Sequence, residues 1–225
     1  MKPQHTLPAD IERTSMQIIE KELTEQGIVI SPENAAVVRR VIHATADFSY
    51  ADTLRFTPKA AERGVEALRR GVSLVTDTNM ALSGLSKPSL ASLGNAAYCF
   101  MADPEVAKAA QQKGTTRAAA AMQYAAQRCP GAVFAIGNAP TALLALGELL
   151  EQGKLHPALI LAVPVGFVNV VESKERLFSL CLEKEVPCIA AMGRKGGSTV
   201  AAAICNALLY TATGRLDPAA RGWQG

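Results

Sequence analysis

The sequence predicts an α/β fold: a mainly parallel five-stranded sheet with helices on both faces, plus an N-terminal helical segment. Two observations lead to this prediction. After residue 71, short apolar runs alternate with segments of helical periodicity, which is the pattern of consecutive β-α-β units. Before residue 71, apolar residues recur at helical spacing only.

One domain is expected to hold this fold. The chain has 225 residues, of which 49% are hydrophobic, and an α/β domain of this length buries a sizeable core. We expect the domain to span residues 1–212, with a helical part over 10–70 and β-α repeats over 71–210. Residues 213–225 contain Pro, Gly and Arg, and they are expected to form a flexible or loosely docked tail.

Three helices are predicted before residue 71. The first has apolar residues at helical spacing from Ile11 onward and ends near Gly27. The second begins at Ser31, an N-cap residue followed by proline. The third begins at Thr57-Pro58 and ends at Gly71.

Five apolar runs each have the length of a strand buried on both faces. They are residues 72–76, 97–101, 132–136, 158–163 and 188–192. Segments with helical patterns lie between and after these runs, at 104–112, 116–128, 140–151, 172–185 and 198–210.

The loops that follow the predicted strands are expected to share one edge of the sheet. Because β-α-β crossovers are right-handed, the carboxyl ends of the strands lie along one edge, where ligands bind in such folds. The residues at this edge are Asp77 and the loops 137–141, 164–167 and 193–198. Their Gly and Pro residues leave backbone N–H groups accessible to a ligand. Ordinary turn residues are the alternative interpretation of each loop.

The loop 193–198 suits an anion, because it places backbone donors, two cations and a hydroxyl at a helix start. It matches neither the P-loop nor the dinucleotide fingerprint, so carboxylate or unusual phosphate recognition remains. Lys174, on the predicted helix before this loop, could equally form a local ion pair.

Composition excludes several classes of function. The net charge of +3 is small and dispersed, which argues against a nucleic-acid partner. None of the five cysteines forms a C-x-x-C pair, so we expect reduced buried thiols and no bound metal. Residues 1–10 are polar, and no apolar run approaches the roughly 20 residues of a membrane span. A cytoplasmic protein with no membrane partner is therefore expected.

His43 is the candidate for chemistry that the sequence singles out. The apolar residues of 37–42 share one face of the second predicted helix, so His43 points away from the core. Arg39 lies one turn before it and Asp47 four residues after it, and we expect these opposed charges to set its protonation state. The alternative is a solvated histidine near a helix C-terminus, where the dipole favours the protonated form.

Seven motifs occur in order between about residue 10 and residue 210. They are Ile11-Glu12-Arg13-Thr14-Ser15, Arg40-Val41-Ile42-His43-Ala44-Thr45-Ala46-Asp47, Thr76-Asp77 with Met80 and Gly84, Thr116-Arg117, Gly137-Asn138-Ala139-Pro140-Thr141-Ala142-Leu143, Pro164-Val165-Gly166-Phe167-Val168 with Glu172-Ser173-Lys174, and Gly193-Arg194-Lys195-Gly196-Gly197-Ser198. Together they resemble the precorrin-8X methylmutase family of corrin-ring biosynthesis, also called cobalt-precorrin-8 methylmutase. Two positions depart from the family pattern: Ala46, where many members have glycine, and Asn169, where a small residue is usual.

The resemblance implies an isomerase that moves a methyl group from C-11 to C-12 of a tetrapyrrole, giving hydrogenobyrinate or its cobalt form. It implies that His43 hydrogen-bonds to, or protonates, a ring nitrogen beside the migrating methyl group. A placed proton donor typically accelerates a reaction by roughly 10²–10⁴. A [1,5]-sigmatropic shift needs no redox cofactor, nucleophile or protein-bound metal, so no cofactor is expected. The resemblance also implies a homodimer with the pocket near its interface.

The implied substrate is large, flat and ringed with carboxylates, and the resemblance assigns binding roles to further residues. Arginine pairs with carboxylates, hydroxyl and amide groups hydrogen-bond to them, and apolar side chains cover the ring faces. The residues are Ser15, Arg40, Thr45, Met80, Ser86, Arg117, Asn138 and Arg194, with Leu85 and Phe167 as further apolar contacts.

Two other functions stay open at this point. One is a group-transfer enzyme that uses a nucleotide-derived cofactor at the same sheet edge, against which the missing glycine fingerprints count. The other is a non-catalytic tetrapyrrole carrier that passes hydrogenobyrinate to the next step of the pathway. Binding of S-adenosylmethionine or a nucleotide tests the first alternative, and turnover separates the second from an enzyme.

Overall fold

A six-stranded sheet lies at the centre of the molecule, and the computed structural model describes residues 7–221 around it. The strands are β1 (Leu54–Phe56), β2 (Leu74–Thr76), β3 (Ala97–Tyr98), β4 (Val133–Ile136), β5 (Leu159–Ala162) and β6 (Cys188–Ala191). Their order across the sheet is β1-β6-β5-β4-β2-β3. All neighbouring pairs are parallel except β1 and β6, so the predicted mainly parallel α/β fold is confirmed.

Helices precede and connect the strands. They are α1 (Pro8–Glu25), α2 (Ala35–Thr45), α3 (Tyr50–Thr53), α4 (Ala60–Arg69), α5 (Asn79–Ser83), α6 (Lys87–Leu93), α7 (Pro104–Lys113), α8 (Arg117–Arg128), α9 (Pro140–Glu151), α10 (Val170–Glu183) and α11 (Ser198–Ala212). The sequence did not predict the short helices α3, α5 and α6. Thr78, Asp103 and Thr116 start α5, α7 and α8, because each side chain accepts a hydrogen bond from a backbone N–H of the first turn.

The prediction of five strands is wrong, because the chain also forms β1. This strand pairs antiparallel with β6 at the edge of the sheet. It is three residues long and its central residue, Arg55, is exposed, so it shows neither a buried apolar run nor a clear alternation. A strand of this kind is formed by its partner rather than by its own sequence.

The prediction that residues 97–101 form a strand buried on both faces is also wrong. Only Ala97–Tyr98 pairs with β2, and the chain then turns into a 3₁₀ helix at Phe100–Ala102. Because β3 lies at the second edge of the sheet, one of its sides has no strand neighbour and Tyr98 is 40% exposed. The other four predicted strands are present, shortened by one or two residues at their ends.

Two predicted helix starts lie too early. The carbonyl of Ser31 accepts the N–H of Asn34 at 3.0 Å, so a turn precedes α2 and the helix begins at Ala35. Thr57 extends the pairing of β1 with β6, since it exchanges hydrogen bonds with the backbone of Cys188. Therefore α4 begins only at Ala60.

Both faces of the sheet are covered by helices, as predicted. Successive residues of β4 point to opposite sides: Val133 and Ala135 pack in one apolar cluster, and Phe134 and Ile136 in the other. Helices α1, α2, α4 and α11 bury their apolar faces in the first cluster, and α7 to α10 in the second. The strands β2, β4, β5 and β6 are thus buried on both faces, which explains their continuous apolar runs.

The described part of the predicted tail packs on the domain. Residues 218–221 form a 3₁₀ helix, Asp217 lies 3.3 Å from Arg13, and Arg221 lies 2.8 Å from Glu12. Residues 1–6 and 222–225, including Trp223, lie outside the described residues. The division into a domain over 1–212 and a tail over 213–225 stays a prediction.

Within residues 7–221, no helix is long and apolar enough to cross a membrane. In the same range, no group of three or more His, Cys, Asp and Glu residues is arranged to hold a metal ion. All five cysteines are free thiols, and three of them are buried. The cytoplasmic location stays a prediction.

Candidate functional site

His43 lies in the last turn of α2 and points away from the buried face of that helix, as predicted. Val37, Val38, Val41 and Ile42 are buried, whereas His43 is half-buried. The helix ends two residues later at Thr45, and the next residue, Ala46, adopts the left-handed conformation with φ of 53°.

The prediction that Arg39 and Asp47 set the protonation state of His43 is wrong. Arg39 pairs instead with Glu20 at 2.9 Å, and Asp47 pairs with Lys195 at 2.6 Å. Since the chain leaves the helix at Ala46, Asp47 does not stand one turn above His43. The charges that act on His43 come from Arg40, Glu12 and Arg221.

These three residues and Tyr210 form a compact group, which we call the Glu12 cluster. The Glu12 carboxylate accepts hydrogen bonds from Arg40 at 2.6 Å and from Arg221 at 2.8 Å. Both guanidinium groups also lie over the ring of Tyr210, at 5.3 and 4.0 Å from its centroid. Two cations share one carboxylate, so the cluster carries a net positive charge beside His43.

This environment favours neutral imidazole. Burial lowers the pKa of His43 below its usual value, and the positive charges of Arg40 and Arg221 lower it further against the opposing effect of Glu12. Burial alone would raise the pKa of Glu12, but its two arginine partners lower it, so the carboxylate stays ionised. The alternative of a dipole-stabilised, protonated histidine at the helix end is therefore not what the structure favours.

A cavity of about 330 Å³ lies next to the Glu12 cluster. Its lining residues are Ser83, Leu85, Ser86, Lys87, Pro88, Ser89, Tyr210, Arg215 and Arg221. No acidic side chain lines it, and the side chains of Lys87 and Arg215 make no ion pair within residues 7–221. Hydroxyl groups and unpaired cations suit a carboxylate ligand.

Asp77 shapes the sheet edge at the loop after β4. Its buried carboxylate accepts hydrogen bonds from the backbone N–H groups of Gly137, Asn138 and Ala139, each at 2.8 Å. Burial raises the pKa of Asp77, and these three bonds oppose that rise. The carboxylate thus holds the loop, while the side chain of Asn138 is exposed at the edge.

The loop 193–198 after β6 carries Arg194, whose exposed guanidinium lies 5.5 Å from the ring centroid of Phe167. Lys174 of α10 holds this loop by hydrogen bonds to its backbone. It is fully buried and donates hydrogen bonds to the carbonyls of Gly193 and Lys195, so the local ion pair considered for it is wrong.

The end of α2 is tied to the sheet edge. Lys195 donates to Asp47 at 2.6 Å and to Ser49 at 2.8 Å. The Thr45 hydroxyl donates to the carbonyl of Val41 and accepts the N–H of Asp47. The helix that bears His43 therefore ends beside loop 193–198, one of the loops predicted at the ligand edge.

The other predicted binding residues lie at separate points. Ser15 is half-buried and donates to the carbonyl of Ile11. Met80 on α5 is 70% exposed. Arg117 is exposed at the start of α8, whose cap residue Thr116 lies 2.8 Å from Thr141.

The structure thus brings two sets of predicted residues together. His43 lies beside the Glu12 cluster, which contains Arg40 and borders the cavity lined by Ser86. Thr45 and Arg194 lie at the linked ends of α2 and loop 193–198. Sequence reasoning gave no role to Glu12, Tyr210, Arg215 or Arg221. The Ile11-to-Ser15 motif pointed to Glu12, but no local pattern links it to the C-terminal arginines.

Comparison with known proteins gives one consistent family. The family model of precorrin-8X methylmutase matches residues 10–211. A cobalt-precorrin-8 methylmutase of Salmonella typhimurium is 45% identical over 207 residues, which cover 90% of this chain and 95% of that protein. One of Leptospira interrogans is 42% identical over 213 residues, covering 93% and 96%. The crystal structure of precorrin-8X methyl mutase from Thermus thermophilus aligns with a TM-score of 0.80 and 42% identity, covering 91% of this chain and 98% of that one.

Proposed function

The chain belongs to the precorrin-8X methylmutase family of methyl-shifting isomerases in cobalamin biosynthesis, and we propose that His43 is the catalytic residue of its reaction. The observation that carries the proposal is the position of His43. It is a half-buried imidazole beside the positively charged Glu12 cluster, which borders a cavity lined by cations and hydroxyl groups. The substrate is a tetrapyrrole, and the reaction moves its methyl group from C-11 to C-12.

The lowered pKa of His43 fits this role. Neutral imidazole has an N–H that donates a hydrogen bond to a ring nitrogen of the substrate. In the shift, the methyl bond to C-11 breaks as the bond to C-12 forms, so no electrons or protons are gained overall. A hydrogen bond or a shared proton at the neighbouring ring nitrogen stabilises electron density that moves onto it. Since the imidazolium form of His43 is more acidic than usual, it also transfers its proton more readily.

The substrate carboxylates are proposed to bind at the periphery of the site. The guanidinium groups of Arg194 and Arg117 are exposed, and neither makes an ion pair in the described range 7–221. Lys87 and Arg215 offer two further cations in the cavity. In contrast, Arg40 is held by Glu12, so we assign it to the electrostatic environment of His43 as well as to the predicted binding set.

A homodimer is proposed for the active form. Large apolar side chains are exposed on α1, where Ile11 is 48% and Ile18 is 51% exposed. A covered interface explains such a surface better than solvent does. Sedimentation equilibrium should give twice the 23.7 kDa mass of one chain. A Ile18→Glu variant should shift the equilibrium toward single chains, and a wild-type protein that sediments as a single chain would contradict the proposal.

The replacement His43→Ala tests the catalytic assignment. We expect it to keep its fold and to bind hydrogenobyrinate as a coloured complex, but to lose conversion of the substrate, offered with and without cobalt. The matched control is His156→Ala, because His156 is exposed in the loop before β5, outside the described site. Conversion of the substrate by His43→Ala at the wild-type rate would refute the catalytic role of His43. A wild-type protein that binds the product without any turnover would instead be a tetrapyrrole carrier.

A further inference from the structure

Lys174 of α10 is a buried ammonium group with an unusual set of partners. Its exposed fraction is 0%, and it forms no salt bridge within residues 7–221. Its Nζ donates hydrogen bonds to the carbonyl of Gly193 at 2.9 Å and to the carbonyl of Lys195 at 2.8 Å. Both acceptors belong to the loop after β6, so within residues 7–221 the ammonium group hydrogen-bonds to that loop alone.

Arg194 lies between these two carbonyls, and its own carbonyl is also held. It accepts the N–H of Gly166 at 3.2 Å. Three successive carbonyl groups, at Gly193, Arg194 and Lys195, are therefore fixed, two of them by one ammonium. The backbone of Arg194 is immobilised, while its guanidinium stays exposed over Phe167.

The same loop is fixed at its far end by backbone contacts. Gly197 donates to the carbonyl of Val163 at 2.9 Å. A Cβ atom at Gly196 would lie 2.2 Å from that carbonyl oxygen, so the loop lies directly against the chain after β5. Lys174 completes this support at the near end of the loop.

Burying a lysine at this position costs free energy, because its ammonium group loses hydration. Burial lowers the pKa of Lys174 to about 8, which reflects the loss of hydration around the ammonium group. A methionine would fill a similar volume without that penalty. Its two directed hydrogen bonds distinguish lysine from such an apolar residue, and both are made to the residues that flank Arg194.

We propose that Lys174 is a positioning residue that holds Arg194 in place to bind a carboxylate of the tetrapyrrole. The proposal rests on the proposed function, which supplies the anionic ligand. It assigns Lys174 an effect on ligand affinity through Arg194 and no contact with the reacting atoms. It also predicts that the effects of Lys174 and Arg194 are not independent.

A double-mutant cycle tests the coupling. The variants are Lys174→Met, Arg194→Ala and the combination, with the dissociation constant of hydrogenobyrinate measured by absorbance titration and kcat and KM measured separately. Each single variant should weaken binding about tenfold and raise KM similarly, with kcat within about threefold of wild type. The combined variant should bind no worse than Arg194→Ala. The proposal would be overturned if the affinity loss of the combined variant equalled the product of the two single losses. It would also be overturned if Lys174→Met bound the product as tightly as the wild type.

Two controls separate positioning from general destabilisation. Leu177→Ala changes another buried residue of α10, which packs in an apolar cluster and lies next to Gly147 of α9. It should lower the melting temperature but leave KM and product affinity unchanged. Lys174→Gln keeps a hydrogen-bond donor and should restore part of the affinity lost in Lys174→Met. Leu177→Ala with the same affinity loss as Lys174→Met would show a purely structural role.

Amide hydrogen exchange provides a readout that does not need the ligand. In Lys174→Met, exchange at Gly166 and Gly197 should become faster, whereas Leu177→Ala should leave these amides protected. If the wild-type protein does not bind hydrogenobyrinate, the proposed function fails. The exchange result then shows separately whether Lys174 holds the loop, and unchanged exchange would refute that role as well.

Discussion

Glu12 and Arg221 lie 209 positions apart in the sequence and meet at 2.8 Å beside His43. Arg40 shares the same carboxylate at 2.6 Å, so Glu12 joins the first helix, the second helix and the C-terminal segment. The negative charge of this carboxylate raises the pKa of His43, against the lowering effects of burial and of the two arginines. The protonation of the candidate catalytic residue therefore depends on a contact between the two ends of the described chain.

Replacing Glu12 with glutamine should lower the pKa of His43 further. The variant removes the charge that favours imidazolium and leaves the charges of Arg40 and Arg221 unopposed. An NMR titration of the His43 imidazole signals, assigned by their loss in His43→Gln, measures the shift. The control is Asp217→Asn, which removes a carboxylate of the same C-terminal segment whose partner, Arg13, is exposed. A pKa of His43 that stays constant or rises in Glu12→Gln would contradict the electrostatic role of Glu12.

Ala46→Gly should stabilise the protein by about 1 kcal/mol. Ala46 ends α2 in the left-handed conformation, which strains residues with a Cβ atom by roughly 1–2 kcal/mol, and the extra backbone entropy of glycine in the unfolded chain offsets part of the gain. Urea unfolding measures the change.

The matched control for Ala46→Gly is Asn169→Gly. Asn169 has a similar φ of 57°, but asparagine tolerates this conformation, so the gain in stability should be smaller. Equal gains at both positions, or a loss at Ala46, would show that strain at the end of α2 is not relieved by glycine. The departure from the family pattern at Ala46 thus becomes a measurable cost in stability.

The sequence predicted the features that local periodicity encodes. The alternation of apolar runs and amphipathic segments predicted β2, β4, β5 and β6 and most of the longer helices, because continuous apolar runs and helical periodicity are both visible in the local sequence. The direction of His43 followed from the same reasoning, since the apolar face of 37–42 is local. β1 did not follow, because a three-residue edge strand with an exposed Arg55 depends on its partner.

The charges around the candidate site could not be predicted from spacing. Asp47 is four residues from His43, but its partner is Lys195, 148 positions away, because Ala46 turns the chain out of the helix. Likewise, nothing in the residues around Lys174 indicates that its ammonium is buried under a loop some 20 residues further on. Ion pairs form between residues that tertiary packing brings together, so the sequence identified the ionisable residues but not their pairs.

The stability contributed by Lys174 should rise between pH 8 and pH 10.5. Burial lowers its pKa from 10.5 in the unfolded chain to about 8 in the fold, so in this window the unfolded state binds more protons. By linkage, the free energy of unfolding of the wild type should increase with pH relative to Lys174→Met, by about 3 kcal/mol across the window. Urea unfolding of both proteins at several pH values measures this difference, because ionisations common to both proteins cancel. A difference that does not change with pH would mean that the buried amine keeps its proton throughout.

Gly196→Ala should destabilise the fold and weaken product binding together. The added Cβ would lie 2.2 Å from the carbonyl oxygen of Val163, which also accepts the N–H of Gly197 at 2.9 Å. That backbone atom cannot rotate away as a flexible side chain could, so the loop must move and lose this bond. We expect a loss of about 3 kcal/mol in urea unfolding.

Gly131→Ala is the matched control for Gly196→Ala, since a Cβ there meets nothing within 4 Å and its φ is not left-handed. Its stability should stay within about 0.5 kcal/mol of the wild type. The affinity for hydrogenobyrinate then decides what the loop does. If Gly196→Ala loses stability but binds the product as tightly as Gly131→Ala, loop 193–198 is a structural support only. A joint loss places the loop, and with it Arg194, in the binding surface for the substrate.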